Sequence, residues 1–229
     1  MSKKILKSGI YCIGKLLEFF TCLILFPKLR SYKKLRGART NRRFLVFYNK
    51  ENVFKVVKFS DAYGLKLLIS LLGNKEFNNY KATLKFLGSL EFLNKHIAEL
   101  TDVHRAGSYG SRYINGYDLQ SLSMKQREPG DSGLLKDTEV ILKIKVAVSE
   151  LLDSLRSYNN KYGFLIGDWH LSNLLYEPKL KRIINVDLEG FYTYNINTKF
   201  NLYRIFENDL DWVEEQLKGF CGSIDFREV

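Results

Sequence analysis

Ile166-Gly-Asp-Trp-His-Leu-Ser-Asn-Leu-Leu175 and, a few residues on, Ile183-Ile-Asn-Val-Asp-Leu-Glu-Gly190 decide how this chain is read. Asn173-Leu-Leu-Tyr176 and Arg182-Ile-Ile-Asn-Val186 are short apolar runs separated by the turn residues Glu177-Pro-Lys179. The pattern predicts two short strands around a turn. Such a hairpin carries an amide, Asn173, and a carboxylate, Asp187, and brings them close together, with Asp168 on the loop before it. Hard oxygen groups of this kind suit magnesium.

Working outward, Leu135 to Tyr158 is the longest helical pattern, with Ile141, Ile144, Val148, Leu151, Leu152 and Leu155 on one apolar stripe. Phe164-Leu-Ile166 links it to the loop. Far upstream, Arg43-Phe-Leu-Val-Phe-Tyr48 and Val53-Phe-Lys-Val-Val-Lys-Phe59 are β-rich runs joined by Asn49-Lys-Glu-Asn52, which predicts an antiparallel hairpin. Residues 62–100 read as helical: Leu65, Leu68, Ile69 and Leu72 keep helical spacing up to Gly73, and a second helix runs from Lys75 to Leu87. Ser108 to Leu122 predicts a strand entering a turn at Asn115-Gly116, and residues 123–135 are the most loop-like stretch. After Gly190 come a short strand-like stretch and one helix, Leu202 to Leu217.

The motif pair resembles the catalytic core of the protein-kinase-like superfamily. Asp168 and Asn173 keep the five-residue step of H-R-D-x-x-x-x-N, and Asp187-Leu-Glu-Gly190 stands where D-F-G would. The form G-D-x-H-x-x-N is similar to that of aminoglycoside phosphotransferases, RIO kinases and small lipopolysaccharide-core sugar kinases. The resemblance implies an α+β fold of two lobes, a small β-rich one and an abbreviated helical one. It implies Asp168 as the carboxylate that orients an attacking hydroxyl and takes its proton, and Asn173 and Asp187 as magnesium ligands. His170 would brace the loop by hydrogen bonding.

The upstream half follows the family's order. Val53-Phe-Lys55-Val-Val is like V-A-I-K, whose lysine neutralises nucleotide phosphates. Lys55 and Lys58 are an odd step apart and point to opposite faces of a regular strand, so only one can serve; Lys55 fits the pattern better and Lys58 is its rival. Glu76 stands where the lysine's glutamate partner would be. Arg112-Tyr-Ile-Asn-Gly-Tyr-Asp-Leu119 resembles the hinge pattern E-Y-I-x-G-x-x-L, which implies adenine on backbone groups near Tyr113 and Ile114 and the ribose near Asp118. Three features depart from the pattern. Arg112 replaces an acid, Arg36-Gly-Ala-Arg-Thr-Asn-Arg-Arg43 stands in place of G-x-G-x-x-G, and no A-P-E follows Gly190. Without a peptide-docking platform, a small or glycan acceptor is favoured.

Charge separates the ends of the chain. Of its 36 basic and 25 acidic residues, twelve and one respectively lie in residues 1–43, so the net +11 belongs to this arm and the body is neutral. A neutral body argues against nucleic acid as a partner. Cys12, Cys22 and Cys221, odd in number and without C-x-x-C spacing, fit neither a disulfide scaffold nor a zinc site. Ile10 to Phe26 is apolar apart from Lys15 and Glu18, Pro27 is expected to stop its helix, and eight basic residues follow between Lys28 and Arg43. This suits the surface of an anionic leaflet better than a span. Packing of the helix on the folded body and a true span are the alternatives.

The expected organisation is therefore a membrane-associating arm, residues 1–43, and a kinase-like domain, residues 44–229, with lobes meeting near 122/123. The expected function is ATP- and Mg2+-dependent transfer of the γ-phosphate to a hydroxyl at the cytoplasmic membrane face. A membrane-associated sugar or glycolipid, as in lipopolysaccharide biosynthesis, is the expected acceptor. The competing readings are a RIO-like protein serine/threonine kinase and a membrane-tethered pseudokinase that only binds.

Overall fold

The computed structural model describes residues 3–34, 44–57, 80–103, 108–125, 138–188, 191 and 210–224. The chain divides into two compact units: Met1–Lys85 with Glu99–Tyr113, and Phe86–Ala98 with Ile114–Val229. The result is a mixed α+β protein with one unit built on a β-sheet and one dominated by helices.

The first unit holds helix α1 (Lys3–Leu29) and strands β1 (Lys33–Lys34), β2 (Phe44–Tyr48), β3 (Asn52–Val57), β4 (Leu100–Val103) and β5 (Tyr109–Arg112). Helix α2 (Tyr80–Gly88) begins in it, and the Tyr80 hydroxyl donates to the Leu100 carbonyl at 3.3 Å. The strands form an antiparallel sheet of order β1-β2-β3-β5-β4. The expected hairpin is β2–β3. Asn49 closes it, because its Oδ1 accepts from the N–H groups of Glu51 (2.9 Å) and Asn52 (2.7 Å), the local bonding that makes asparagine a turn residue.

Register sorts this sheet into two faces. Phe47 pairs with Phe54 and Leu45 with Val56, and these residues pack with Leu25 and Leu29 of α1 in one apolar cluster, joined by Cys22 and Tyr32. Val46, Lys55 and Tyr109 are opposite one another on the other face. The N-terminal helix therefore packs on the sheet through its C-terminal half. It also runs through Pro27 and ends two residues later at Leu29, which corrects the expected stop. In the last turn a proline removes only a bond that the fraying end can lose, and Leu29 gains burial in exchange. No helix among the described residues is long and apolar enough to cross a membrane.

The second unit holds β6 (Tyr117–Asp118), α3 (Leu119–Lys125), α4 (Thr138–Tyr162), β7 (Leu174–Glu177), β8 (Arg182–Asn185) and α5 (Leu210–Ser223). The strands form an antiparallel sheet of order β6-β7-β8, in which Tyr176 pairs with Ile183 and Leu174 with Asn185. The apolar stripe of α4 is buried and packs on β8 and α5. Outside that core, the Arg156 guanidinium grips Glu214 of α5 through Nε (2.7 Å) and Nη2 (3.0 Å), and Lys218 adds a third bond at 2.6 Å. Gly116 is needed where the chain enters β6, since a Cβ there would meet the Tyr176 carbonyl oxygen at 2.2 Å.

Several boundaries differ from expectation. Residues 89–100 are not α-helical: turns lead to a single 3-10 turn at Asn94–His96, then to β4. Here tertiary pairing overrides helical spacing, because Ile97 bridges Asn185 and the Ala98 N–H donates to the Asn185 carbonyl at 2.9 Å. The final helix is described over Leu210–Ser223 and so runs past the expected end at Leu217. Residues 62–79, which carry the expected first helix, and 202–209 lie outside the described residues.

Candidate active site

The loop between α4 and β7 is shaped by its own sequence. Gly167 takes φ +97°, a left-handed conformation that favours glycine, and a Cβ there would lie 2.4 Å from the Phe191 ring. Trp169 is fully buried, donates its indole N–H to the Ile166 carbonyl at 2.8 Å and meets Phe191 edge-on at 5.5 Å. With the tryptophan as anchor, its neighbours Asp168 and His170 are left half-buried at the surface.

His170 stabilises the following 3-10 turn, Leu171–Asn173: its Nδ1 accepts from the Ser172 N–H at 3.2 Å and lies 2.9 Å from the Ser172 hydroxyl. Its own N–H donates to Asp168 Oδ1 at 3.2 Å. Gln216 of α5 holds the loop from outside, accepting from the Leu171 N–H at 3.1 Å.

Two asparagines then tie the loop to the hairpin. Asn173 Nδ2 donates to the Asp168 carbonyl at 3.3 Å, which turns its Oδ1 the other way. Its backbone carbonyl accepts from the Val186 N–H at 2.9 Å. Asn185, wholly buried, donates from Nδ2 to the same Asp168 carbonyl at 2.8 Å and accepts the Asp187 N–H on Oδ1 at 2.9 Å. One buried amide therefore sets the spacing of the two acidic residues. Asn185 escaped the sequence reading, although a polar residue inside the apolar run Ile183-Ile-Asn-Val is the signal that could have found it.

Asp187 is buried, and the Asp168 carboxyl is pushed above its ordinary range by its own burial and, secondly, by the negative charge of Asp187. Asp168, His170, Asn173 and Asp187 are thus brought together. Among the described residues no three His, Cys, Asp or Glu side chains converge. The site instead offers two carboxylates and an amide oxygen, which fits the habit of magnesium of taking one or two carboxylates and completing its shell with water and phosphate.

His96 supports the site from beneath and was not expected from the sequence. It is fully buried, with Nδ1 2.9 Å from the Ile183 carbonyl on β8 and Nε2 3.2 Å from the Ser154 hydroxyl on α4. Burial lowers its ring to about 4, so it is neutral at pH 7, with Nδ1 donating to the carbonyl.

The other expected residues are distributed as follows. Lys55 is buried in the first unit, with Nζ 5.6 Å from the Tyr109 ring centroid. Lys58 and Glu76 lie outside the described residues. The chain passes from the first unit to the second between Tyr113 and Ile114. The Tyr113 N–H donates to the Glu51 carbonyl at 2.7 Å and its ring stacks on Tyr48. Asp118 caps α3, its Oδ1 accepting from the Ser121 N–H at 2.6 Å.

No family model matches the chain and no curated protein is similar to it. Among solved structures it is similar to the kinase PK-1 of Cydia pomonella granulovirus, at 18% identity over 73% of this chain and 57% of that one, with a TM-score of 0.38. The kinase domain of Mycobacterium tuberculosis PknI matches at 16% over 69% and 58%, with a TM-score of 0.35. WbdD, co-crystallised with a kinase inhibitor, matches at 16% over 80% and 44%, with a TM-score of 0.39. The chain spans about half the length of these structures. A likeness of this extent carries no inference about activity, and the functional reading rests on the residues described above.

Proposed function

We propose that the chain is an ATP- and magnesium-dependent phosphotransferase that moves the γ-phosphate to a hydroxyl of a membrane-associated sugar or glycolipid. The observation that carries this reading is the fastening of Asp168 and Asp187 around Asn185, with Asn173 beside them. Asp168, made more basic by burial and by its acidic neighbour, orients the acceptor hydroxyl and takes its proton. Asp187 and the Asn173 Oδ1 hold magnesium, which when bound neutralises charge on the phosphates. His170 positions the loop through its hydrogen bonds and does not react.

Lys55 contributes positive charge to the phosphates, with Glu76 as its partner; Lys58 stays the rival. With the Tyr113 N–H committed to Glu51, adenine recognition falls to the Tyr113 carbonyl and the Ile114 N–H, and Asp118 faces the ribose. In this reading the kinase-like domain is residues 44–229 and acts at the cytoplasmic face of the membrane.

The test is magnesium-dependent ATP turnover by the purified chain in detergent, with nucleotide binding measured on the same sample, for wild type, Asp187→Ala and Asp168→Asn. Turnover lost in both variants is the expected result. Magnesium-ATP that neither binds nor turns over would sink the reading in favour of a binding module.

A further inference from the structure

We propose that α1 is a docking helix that lies in the plane of an anionic lipid surface, with one face on the sheet and the opposite face in the bilayer. Leu25 and Leu29 fix the sheet face, and Glu18 is turned to the same side, where Lys15 neutralises it at 2.7 Å. At 100° per residue, Leu16, Phe19, Phe20, Leu23 and Ile24, with Ile13, fall on the opposite side. Each is 53–78% exposed, and no charged residue interrupts them. Six large side chains on one exposed face exceed the scattered apolar residues of an ordinary surface.

Charge decides the occupant. Residues 1–43 contain twelve basic side chains and one acid, Glu18, which is already paired. Arg30, Lys33 and Lys34 are exposed just beyond the end of the helix. A second copy would set two such arms against each other, whereas an anionic bilayer offers hydrocarbon to the stripe and phosphates to the lysines and arginines. The helix lies flat because it does not meet the length and apolarity of a span, and its other face is committed to Phe54 and Val56.

The same packing orients the first unit. Lys55 sits on the sheet face turned away from α1, so the layers run bilayer, α1, sheet, Lys55. The lipid leaves that lysine uncovered, and α1 is a strut rather than a tether. This inference stands apart from the phosphotransfer reading, and its test uses no activity.

The full chain is floated with phosphatidylcholine vesicles containing about one third phosphatidylglycerol, and with phosphatidylcholine alone. Binding to the anionic vesicles only is expected. It should fall on the order of tenfold per position in Leu16→Glu/Leu23→Glu and about fivefold per residue in Lys33→Gln/Lys34→Gln. The glutamates replace exposed residues, and an unchanged thermal melt confirms the fold. A Phe20→Trp variant gives a second readout, as brominated lipids should quench it most when the bromines lie near the headgroups. Equal binding by the Leu16→Glu/Leu23→Glu variant, quenching deepest at the bilayer centre, or a concentration-dependent dimer abolished by that variant would each overturn the proposal.

Discussion

In the β2–β3 hairpin Lys55 takes its direction from the strand. Phe54 and Val56 face α1, so the intervening lysine must face the other way. Asp187, just past the end of β8, has no such rule to place it. Its backbone is held by Asn185, the same amide holds the Asp168 carbonyl, and Asn173 and Gln216 secure the loop. A strand aims a side chain by pitch alone, and a loop needs a buried polar network to do so. Networks of that kind fail abruptly when one member is lost, because each remaining partner is left desolvated.

The largest expected effect breaks the second region at its chemistry. Asp168→Asn should lower magnesium-ATP turnover about 1000-fold and at the same time raise the melting temperature. The Asp168 carboxyl is shifted upward on folding, so its ionised form opposes folding at neutral pH, and that penalty disappears as pH falls through its folded value. A variant that loses both activity and stability would show that the carboxylate is structural.

Asn185→Ala comes next, with a loss of about 3 kcal/mol in denaturant melts, since the Asp168 carbonyl and the Asp187 N–H both lose their partner. A neutral outcome would show that the amide does not govern the spacing of the two aspartates. The support beneath the hairpin gives a comparable effect through pH. His96 sits at about 4 in the fold against an ordinary 6.5, so the unfolded chain takes the proton first. Stability should fall by about 3 kcal/mol between pH 6.5 and 4 and be unaffected above that window. His96→Gln should remove this part of the profile; an identical profile in the variant would assign the acid loss to other groups.

In the first region, Lys55→Met should lower turnover by about 100-fold and change stability by less than about 1 kcal/mol, because the aliphatic stem is kept. Turnover that survives would turn attention to Lys58. A stability loss as large as that of Asn185→Ala would erase the distinction between the two regions.

Legibility in the sequence follows the same division. The two hairpins, the long helix α4 and the spacing of Asp168, Asn173 and Asp187 were visible, because period-2 and period-3.6 patterns and turn residues are local signals. The helix expected through residues 94–100 failed because Ile97 and Ala98 pair with Asn185, nearly ninety positions away. His96 and Gln216 were missed for the same reason: their partners, Ile183, Ser154 and Leu171, are remote in sequence. The apolar and basic character of the arm could be read directly, but not which of its faces was already taken.

By itself, then, the sequence determined the charge division, the hairpins and the order of the acidic and amide residues, since each depends on neighbours a few positions apart. Only the tertiary structure decided that α1 rests on β3, that Asn185 joins the two aspartates and that His96 is buried neutral. Those outcomes depend on which distant surfaces exclude water together, and no local pattern of residues encodes that.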